Sequence, residues 1–177
     1  MKMLGGRPPV SASVPRMDPH LRLATRDDVD ALMGLRILMF EAMGTPPAAL
    51  ESPEWRDAAR TWFERRISTE DTRILVVEEG GEVVASGLAE VLATIPAPSM
   101  PRGRSGFVSN VATLPHARGR GLARAVMTEL VRWLDEETDA DRIDLAATTE
   151  GAPLYRSLGF DAAAFPTMRR PKPVSVT

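Results

Sequence analysis

The fold is decided by the stretch FVSNVATLPHARGRGLA, residues 107–123 of a 177-residue chain. Its first half is apolar and rich in strand-forming residues, and Pro115 ends the predicted strand. Gly119 and Gly121 then open an amphipathic helix. The first turn of a helix carries N–H groups without intrahelical partners and the positive end of the helix dipole, and glycine lets a ligand reach this backbone. The stretch therefore predicts an anion site of the kind that holds phosphate.

A crossover unit extends from this stretch toward the C-terminus. Apolar residues recur on one face of the predicted helix, and a strand is predicted at 142–148. The order strand, helix, strand makes the two strands parallel neighbours. A short helix at 153–158 has proline at its start and Gly159 after its end, and two further strands are predicted, from Phe160 and at 165–170.

The N-terminal half contributes the rest of the predicted sheet. Gly80 and Gly81 form the tight turn of a hairpin between two strands. The predicted elements are a strand at 21–24, a helix that Thr25 caps and Gly44 ends, a helix at 53–67, strands at 72–79 and 82–95, and a loop at 96–104. Together they predict an α/β (α+β mixed) fold, with a mixed central sheet that is mostly antiparallel, one parallel βαβ pair, and helices on both faces.

The composition is that of a globular domain with little material for cysteine or histidine chemistry. Hydrophobic residues make up 44% of the chain and charged residues 26%, close to globular averages. The absence of cysteine excludes disulfides, thiolate catalysis and cysteine-ligated zinc. His20 and His116 alone leave almost no material for a histidine-ligated metal or a Ser-His-Asp triad, so we expect no metal site.

Charge and hydropathy restrict the partners. The net charge of -2 gives no global attraction to nucleic acid or acidic lipid. The interpretation of three arginines as a nucleic-acid patch is weak, because no aromatic platform accompanies Arg118, Arg120 and Arg124. No apolar run approaches the roughly 18 residues of a membrane span, and the N-terminus lacks the apolar segment of a signal peptide. We therefore expect a cytoplasmic protein without nucleic-acid or membrane partners.

The two ends of the chain are expected to lie outside a single domain. Residues 1–19 are rich in Pro, Gly and Ser, which predicts a disordered leader or an over-long start with Met17 as the natural first residue. The predicted domain spans 20–171, and residues 172–177 form a tail. A domain of this length is long enough to bury a proper core.

Two motifs carry a family resemblance. Residues 118–123, Arg-Gly-Arg-Gly-Leu-Ala, match the phosphate-turn pattern Arg/Gln-x-x-Gly-x-Gly/Ala, and residues 154–160, Leu-Tyr-Arg-Ser-Leu-Gly-Phe, match Leu-Tyr-x-x-Leu-Gly-Phe. The surrounding pattern lacks the Gly-Lys-Ser/Thr of a P-loop and the Gly-x-Gly-x-x-Gly of a dinucleotide site. Over residues 21–170 the chain resembles the GNAT superfamily of acyl-CoA-dependent N-acyltransferases, which implies a GNAT-like fold and acyl transfer.

The resemblance implies acetyl-CoA as the cofactor. Its pyrophosphate would bind the N–H groups of the turn, and its pantetheine arm would lie along the central strand, where Val111 and Ala112 would hold the thioester carbonyl. Thr148 and Thr149 stand where many relatives carry a cofactor-binding Asn. The expected cofactor-binding residues are Val111, Ala112, Thr113, Arg118, Gly119, Arg120, Gly121, Leu122 and Ala123.

The implied reaction is direct attack of a primary amine on acetyl-CoA. Tyr155 lies where the family places the acid that protonates the leaving thiolate, although an aromatic residue that packs a short helix gives the same pattern. The central strand offers Ser109 and Asn110 instead of a carboxylate. Glu90 is the expected general base, with Glu41 as another candidate, and an amine that arrives neutral needs neither.

The acceptor stays open at this point. Glu41, Glu51 and Glu54 near the connection between the first two helices suit a cationic amine, but Arg56 and Arg60 follow closely. The sequence does not rank the candidate acceptors, which are a small amine, an amino acid, an antibiotic and a protein N-terminus. For the oligomeric state, a homodimer is one option. The alternative function is a non-catalytic acyl-CoA-binding or interaction module that keeps the phosphate turn; Tyr155 opposes it, and the missing strand carboxylate favours it.

Overall fold

The computed structural model describes residues 19–165 and 167–170, so nearly all of the predicted leader and the whole predicted tail lie outside the described residues. Short 3-10 turns precede the first and fourth helices. The strands are β1 (His20–Leu23), β2 (Thr72–Glu79), β3 (Glu82–Ala93), β4 (Arg104–Thr113) and β5 (Arg142–Leu145); the helices are α1 (Val29–Ala42), α2 (Pro47–Glu51), α3 (Pro53–Arg66), α4 (Leu122–Glu136) and α5 (Ala152–Arg156).

The strands form one sheet in the order β1-β2-β3-β4-β5. The first four pair antiparallel, and β4 pairs with β5 parallel, from Ser105 opposite Arg142 to Val108 opposite Leu145. Helix α4 supplies the crossover between these last two strands. This topology confirms the predicted mixed sheet with one parallel βαβ pair.

Helices cover both faces of the sheet, as predicted. The apolar stripe of α4 packs with one face, and α1 and α3 pack with the other. Gly87 of β3 lets α4 lie close to the sheet, because a Cβ at this position would come within 2.5 Å of Val126 Cγ1. The two buried clusters on either side hold the central strands rigidly in place, which matters because the candidate site lies on β4.

The start of α1 is fixed to the sheet by a charged network. The backbone N–H of Thr25 donates to Asp28 Oδ2 at 2.7 Å, which confirms the predicted cap. Arg22 of β1 donates to both Asp28 and Glu78, at 2.7 Å in each case. The hydrogen bonds from Arg22 are the main reason why the pKa of the buried Asp28 lies below its ordinary value. The network therefore ties α1 to two strands.

A β-bulge interrupts β4 next to the site. Ser86 of β3 lies opposite Ala112, while Leu88, two residues on, lies opposite Ser109, so β4 contains one extra residue. Asn110 adopts a left-handed conformation there, with φ 53°. Asn tolerates this conformation better than most residues, because its short polar side chain can form local hydrogen bonds. Its amide donates to Ser109 Oγ at 3.0 Å.

The parallel pair opens beyond the bulge. Pairing ends at Val108 and Leu145, although β4 continues to Thr113. The prediction that β5 reaches residue 148 is therefore wrong at its end, because the bulged strand offers residues 146–148 no ladder partner. The two strands leave between them an edge of β4 that no other described strand covers.

Three further expectations are corrected. The predicted strands from Phe160 and at 165–170 do not form in the described residues. Phe160 instead donates its N–H to Tyr155 O at 3.1 Å and packs its ring edge-on against Tyr155. The short helix α2 was also not expected; it starts at Pro47, because proline is well suited to the first helical position.

Candidate active site

A cavity of about 1320 Å³ opens at the gap between β4 and β5. One half is lined by residues 109–113 of β4, by residues 145–151 from the last residue of β5 onward, and by Leu154 and Tyr155. The other half is lined by α1, α3, Glu90 and Phe107. A smaller cavity of about 230 Å³ surrounds the turn before α4 and shares Thr113 and Arg118 with the large one. The structure therefore places both predicted motifs in the walls of two adjoining cavities that share lining residues.

The glycine turn leads into α4 with its backbone exposed. Gly119 and Gly121 both have left-handed backbones, with φ of 72° and 79°, and a Cβ on either would meet nothing within 4 Å. Glycine is thus required by the conformation, while the space above it is open. The first helical hydrogen bond runs from Ala125 N to Gly121 O at 3.0 Å.

These N–H groups have the character of an anion site. Among the described residues, no acceptor is found for the N–H groups of residues 119–124. They lie at the positive end of a 15-residue helix. Such groups are stabilised by a phosphate oxygen in the way that a capping side chain would stabilise them.

The two arginines of the turn have different roles. Arg120 forms a two-pronged ion pair with Glu79 at 2.6 and 2.7 Å, so this turn residue offers a ligand its backbone and not its charge. Arg118 lines both cavities and donates from Nε to Thr113 O at 3.2 Å. Leu122 is buried under the turn, and Ala123 lines both cavities. Arg118 is therefore the charged side chain of the turn that faces the cavity.

The open edge of β4 presents selected N–H groups. Leu114 N donates to Val84 O at 2.8 Å, so alternation along the extended strand directs Ala112 N–H toward β3 as well. The N–H groups of Val111 and Thr113 then point toward the open edge. The structure thus favours Val111 and Thr113 over Ala112 as backbone donors to a ligand, although all three line the cavity.

Thr113 carries a second signal for a ligand. Its Oγ1 is buried and has no hydrogen-bond partner within the part of the chain that the structure describes. A buried hydroxyl without a partner costs free energy, and such groups mark places where a ligand or water completes the structure. Because Thr113 lies between the turn and the open edge, the donors and acceptors needed by a phosphate and an extended amide arm fit this part of the cavity.

Tyr155 lies in the wall of the same cavity, half-buried on α5. Burial raises the pKa of its hydroxyl above the ordinary value of 10.0, so the phenol stays protonated at neutral pH. A protonated hydroxyl beside the end of a bound thioester can donate to a leaving sulfur. The ring is held by Phe160, whose centroid lies 6.3 Å away.

Glu90 lies in the cavity wall on β3, as expected for a base candidate, but it has a partner. Its Oε1 is 3.3 Å from Nη2 of Arg66, and its side chain is 19% exposed. Arg66 also pairs with Asp71 at 3.2 Å and lies against the ring of Trp62. Glu90 therefore shares its carboxylate with a cation before any substrate arrives.

The carboxylates expected to meet a cationic amine lie elsewhere. Glu41, Glu51 and Glu54 are exposed and do not line the cavity. Arg56 donates to Leu50 O at 2.6 Å, and Arg60 pairs with Asp30 at 2.6 Å, so neither cation faces the cavity. Glu41, the second candidate for the general base, therefore lies outside the cavity lining.

Arg36 of α1 is a cavity residue that the sequence reasoning missed. Its Nη1 donates to Asn110 Oδ1 of the bulge, and its guanidinium lies 4.8 Å from the centre of the Phe40 ring. Its Nε is buried without a partner in the described part of the chain, and burial lowers the pKa of this side chain. The available signal was an arginine set in the apolar run from Leu35 to Leu38 of the first helix.

No group of three or more His, Cys, Asp or Glu side chains that could hold a metal ion occurs in the described residues. Among the helices of residues 19–165 and 167–170, none has the length and apolar content of a membrane-spanning segment.

Comparison with known proteins agrees with the geometry. The model of the acetyltransferase (GNAT) family matches residues 36–160. A search of curated protein sequences returned no match. The chain is similar to a solved acetyltransferase with acetyl-CoA from Clostridium acetobutylicum, at 22% identity and TM-score 0.77 over 86% of this chain and 96% of that one.

Two further solved structures share the fold. A GCN5-related N-acetyltransferase from Ralstonia eutropha JMP134 is 28% identical, with TM-score 0.75 over 89% of this chain and 99% of that one. Glucosamine-6-phosphate N-acetyltransferase from Arabidopsis thaliana is 17% identical, with TM-score 0.65 over 86% and 98%.

The fold and the family match define the class of protein, an acetyltransferase. The chain belongs to the acetyltransferase (GNAT) family.

Proposed function

We propose that this acetyltransferase moves the acetyl group of acetyl-CoA to a primary amine by direct attack. The observation that carries the proposal is the placement of three features in two adjoining cavities that share lining residues: the exposed N–H groups before α4, the open edge of β4, and the half-buried hydroxyl of Tyr155. Each feature serves one requirement of the reaction: binding the donor, stabilising the oxyanion, and protonating the leaving group.

The turn and the strand divide the binding of the donor. The N–H groups of residues 119–124 and the side chain of Arg118 bind the pyrophosphate. The open edge of β4 binds the pantetheine arm, with Thr113 N–H and Oγ1 as partners for its amide groups. Acetyl-CoA supplies an activated thioester whose carbonyl is then held next to the bulge.

The bulge positions an oxyanion donor. Val111 N–H points to the open edge directly after Asn110, so we place the thioester oxygen on this group. Arg36 donates a hydrogen bond to the Asn110 side chain, which helps to hold the bulge in place. A donor fixed in advance does not need to reorganise when negative charge develops.

The transfer balances with the groups present. The amine nitrogen forms a bond to the acetyl carbon, the carbon–sulfur bond breaks, and the sulfur takes the proton of Tyr155. The amine passes its proton to a water molecule, and that water passes a proton on to Glu90. We choose Glu90 because it is the carboxylate on the neighbouring strand that faces the cavity. Tyr155 regains its proton from solvent. The chain has no cysteine, so no acetyl-cysteine intermediate forms.

A CoA-release screen over a panel of amines tests the proposal. We expect CoA release that depends on both acetyl-CoA and an amine, and an acetylated amine in the product. A protein that binds CoA in calorimetry but acetylates no amine would instead favour the non-catalytic acyl-CoA-binding module. Cytoplasmic location and a homodimer stay as predictions, which fractionation and sedimentation measurements check.

A further inference from the structure

The acceptor half of the cavity is built from ring and thioether side chains. Phe40 of α1 and Trp55 of α3 meet edge to face, with their ring centroids 5.9 Å apart, and form a wall between the two helices. Met39 and Trp62 extend this wall, and Phe107 of β4 closes it at the sheet. These side chains are only partly buried, so they present apolar surface to whatever binds there.

This half also contains the cation Arg36, which has no anionic partner among the described residues. Arg36 has its Nε buried and unpaired within the described residues, and its guanidinium contacts the amide oxygen of Asn110 and the aromatic face of Phe40. A guanidinium has five N–H donors, and a planar carboxylate satisfies two of them at once. Burial also lowers the pKa of Arg36, which reflects the cost of holding its charge unpaired.

Carboxylates are scarce on the same surface. Among the described residues, Glu90 and Glu150 are the acidic side chains that line the large cavity. Glu90 is paired with Arg66, and Glu150 lies on the exposed segment after β5. A polycationic acceptor needs several carboxylates to replace its hydration, and this cavity does not supply them.

From this arrangement we infer that the acceptor is a free α-amino acid with an apolar side chain, whose carboxylate binds Arg36 and whose side chain packs on the ring wall. The inference rests on the proposed function and names its substrate class. Because Arg36 also contacts the bulge, a carboxylate held there brings the neighbouring amine to the strand that carries Val111. A peptide N-terminus lacks this carboxylate and is disfavoured.

Three matched amines test the inference with the full chain: L-phenylalanine, L-phenylalaninamide and 2-phenylethylamine, with spermidine as the polycation. We expect kcat/KM for L-phenylalanine to exceed the values for the amide and the decarboxylated amine by about 10- to 100-fold, the worth of a charge-assisted pair. Equal values for the three amines, or a preference for spermidine, would overturn the inference.

Substitution of the arginine tests its assigned role. Arg36→Gln should remove the preference for L-phenylalanine, and Arg36→Lys should retain part of it. Arg60→Gln is the matched control, because Arg60 is a helical arginine that pairs with Asp30 outside the cavity. If Arg36→Gln lowers kcat/KM for all three amines by the same factor, Arg36 only positions Asn110, and the inference is wrong.

Binding separates this inference from the proposed function. Calorimetry with CoA-saturated protein measures the three amines without turnover, and CoA affinity of Arg36→Gln shows whether the variant is folded. If no amine is acetylated, the proposed function fails. In that case tighter binding of L-phenylalanine than of its amide still supports the inference, and equal binding overturns it.

Discussion

The two halves of the cavity are built by different means. The donor half uses backbone: the N–H groups of residues 119–124 and the open edge of β4. The acceptor half uses side chains, with Arg36 and the ring wall contributed by α1 and α3. A backbone site follows from a local conformation, whereas a side-chain site depends on how separate helices pack. The donor half can therefore stay constant while the acceptor half changes with single substitutions.

The largest effect on turnover is expected at Tyr155, the side chain that donates a proton in the donor half. Tyr155→Phe should lower kcat by about 10²-fold or more, because proton donation by a positioned side chain contributes on this scale. Affinity for CoA should stay the same, since the ring packing against Phe160 is kept. Steady-state kinetics and calorimetry measure the two quantities, and unchanged turnover would remove Tyr155 as the acid.

A smaller effect is expected from a change to the backbone of the turn. Gly121→Val should weaken CoA binding by about 10- to 100-fold, because a β-branched residue strains a left-handed backbone and distorts the N–H groups of α4. Calorimetric titration with CoA measures the loss.

Gly44→Val is the matched control for this substitution. Gly44 has the same φ of 79°, also with nothing within 4 Å of an added Cβ, but it lies at the end of α1 outside the cavity lining. Both variants should lose similar stability, and only Gly121→Val should lose CoA affinity. An equal loss of CoA affinity in both variants would mean that global strain, and not the turn, is responsible.

The acceptor half should be sensitive to the anchoring of α1. Asp28→Asn removes the carboxylate that joins Arg22 to the cap of α1, and we expect a loss of about 2 kcal/mol in the free energy of unfolding. The pKa of Asp28 is lowered in the folded state, so its contribution is present above the ordinary value of 3.8 and disappears as the pH falls through the folded value.

Urea denaturation at several pH values measures this difference. The gap between wild type and Asp28→Asn should be full at neutral pH and should close in acid. A gap that is independent of pH would show that the carboxylate charge is not the cause, and that the variant loses packing instead.

The smallest effect is expected at Glu90. Because Glu90 is paired with Arg66 and acts through water in our proposal, Glu90→Gln should lower kcat only several-fold, well below the roughly 10²-fold of a direct proton-transfer group. The pH profile of kcat should shift in the variant. If the pH profile of kcat does not change in the variant, Glu90 is not the base, and the amine loses its proton directly to solvent.

What the sequence could predict follows the same division. The turn at Gly119 and Gly121, the hairpin at Gly80 and Gly81, and the helix faces are local signals, and the structure has all of them. The family motif also placed Tyr155 in the cavity wall. These features need only the conformation of neighbouring residues.

Long-range features were not accessible in the same way. The end of β5 depends on a bulge in a different strand, and Phe160 packs on Tyr155 instead of extending a sheet. Arg36 was missed because its importance comes from Asn110, which lies 74 residues further along the chain. Glu41, Glu51 and Glu54 looked suitable by proximity in sequence, but helix geometry directs them to the surface.

The most direct test of direct transfer is the initial velocity of acetylation measured over crossed concentrations of acetyl-CoA and the best amine of the panel. Donor and acceptor must occupy the two halves of the cavity together, so the double-reciprocal plots should intersect. Parallel lines would show that the acetyl group passes through a covalent enzyme intermediate and would contradict this account.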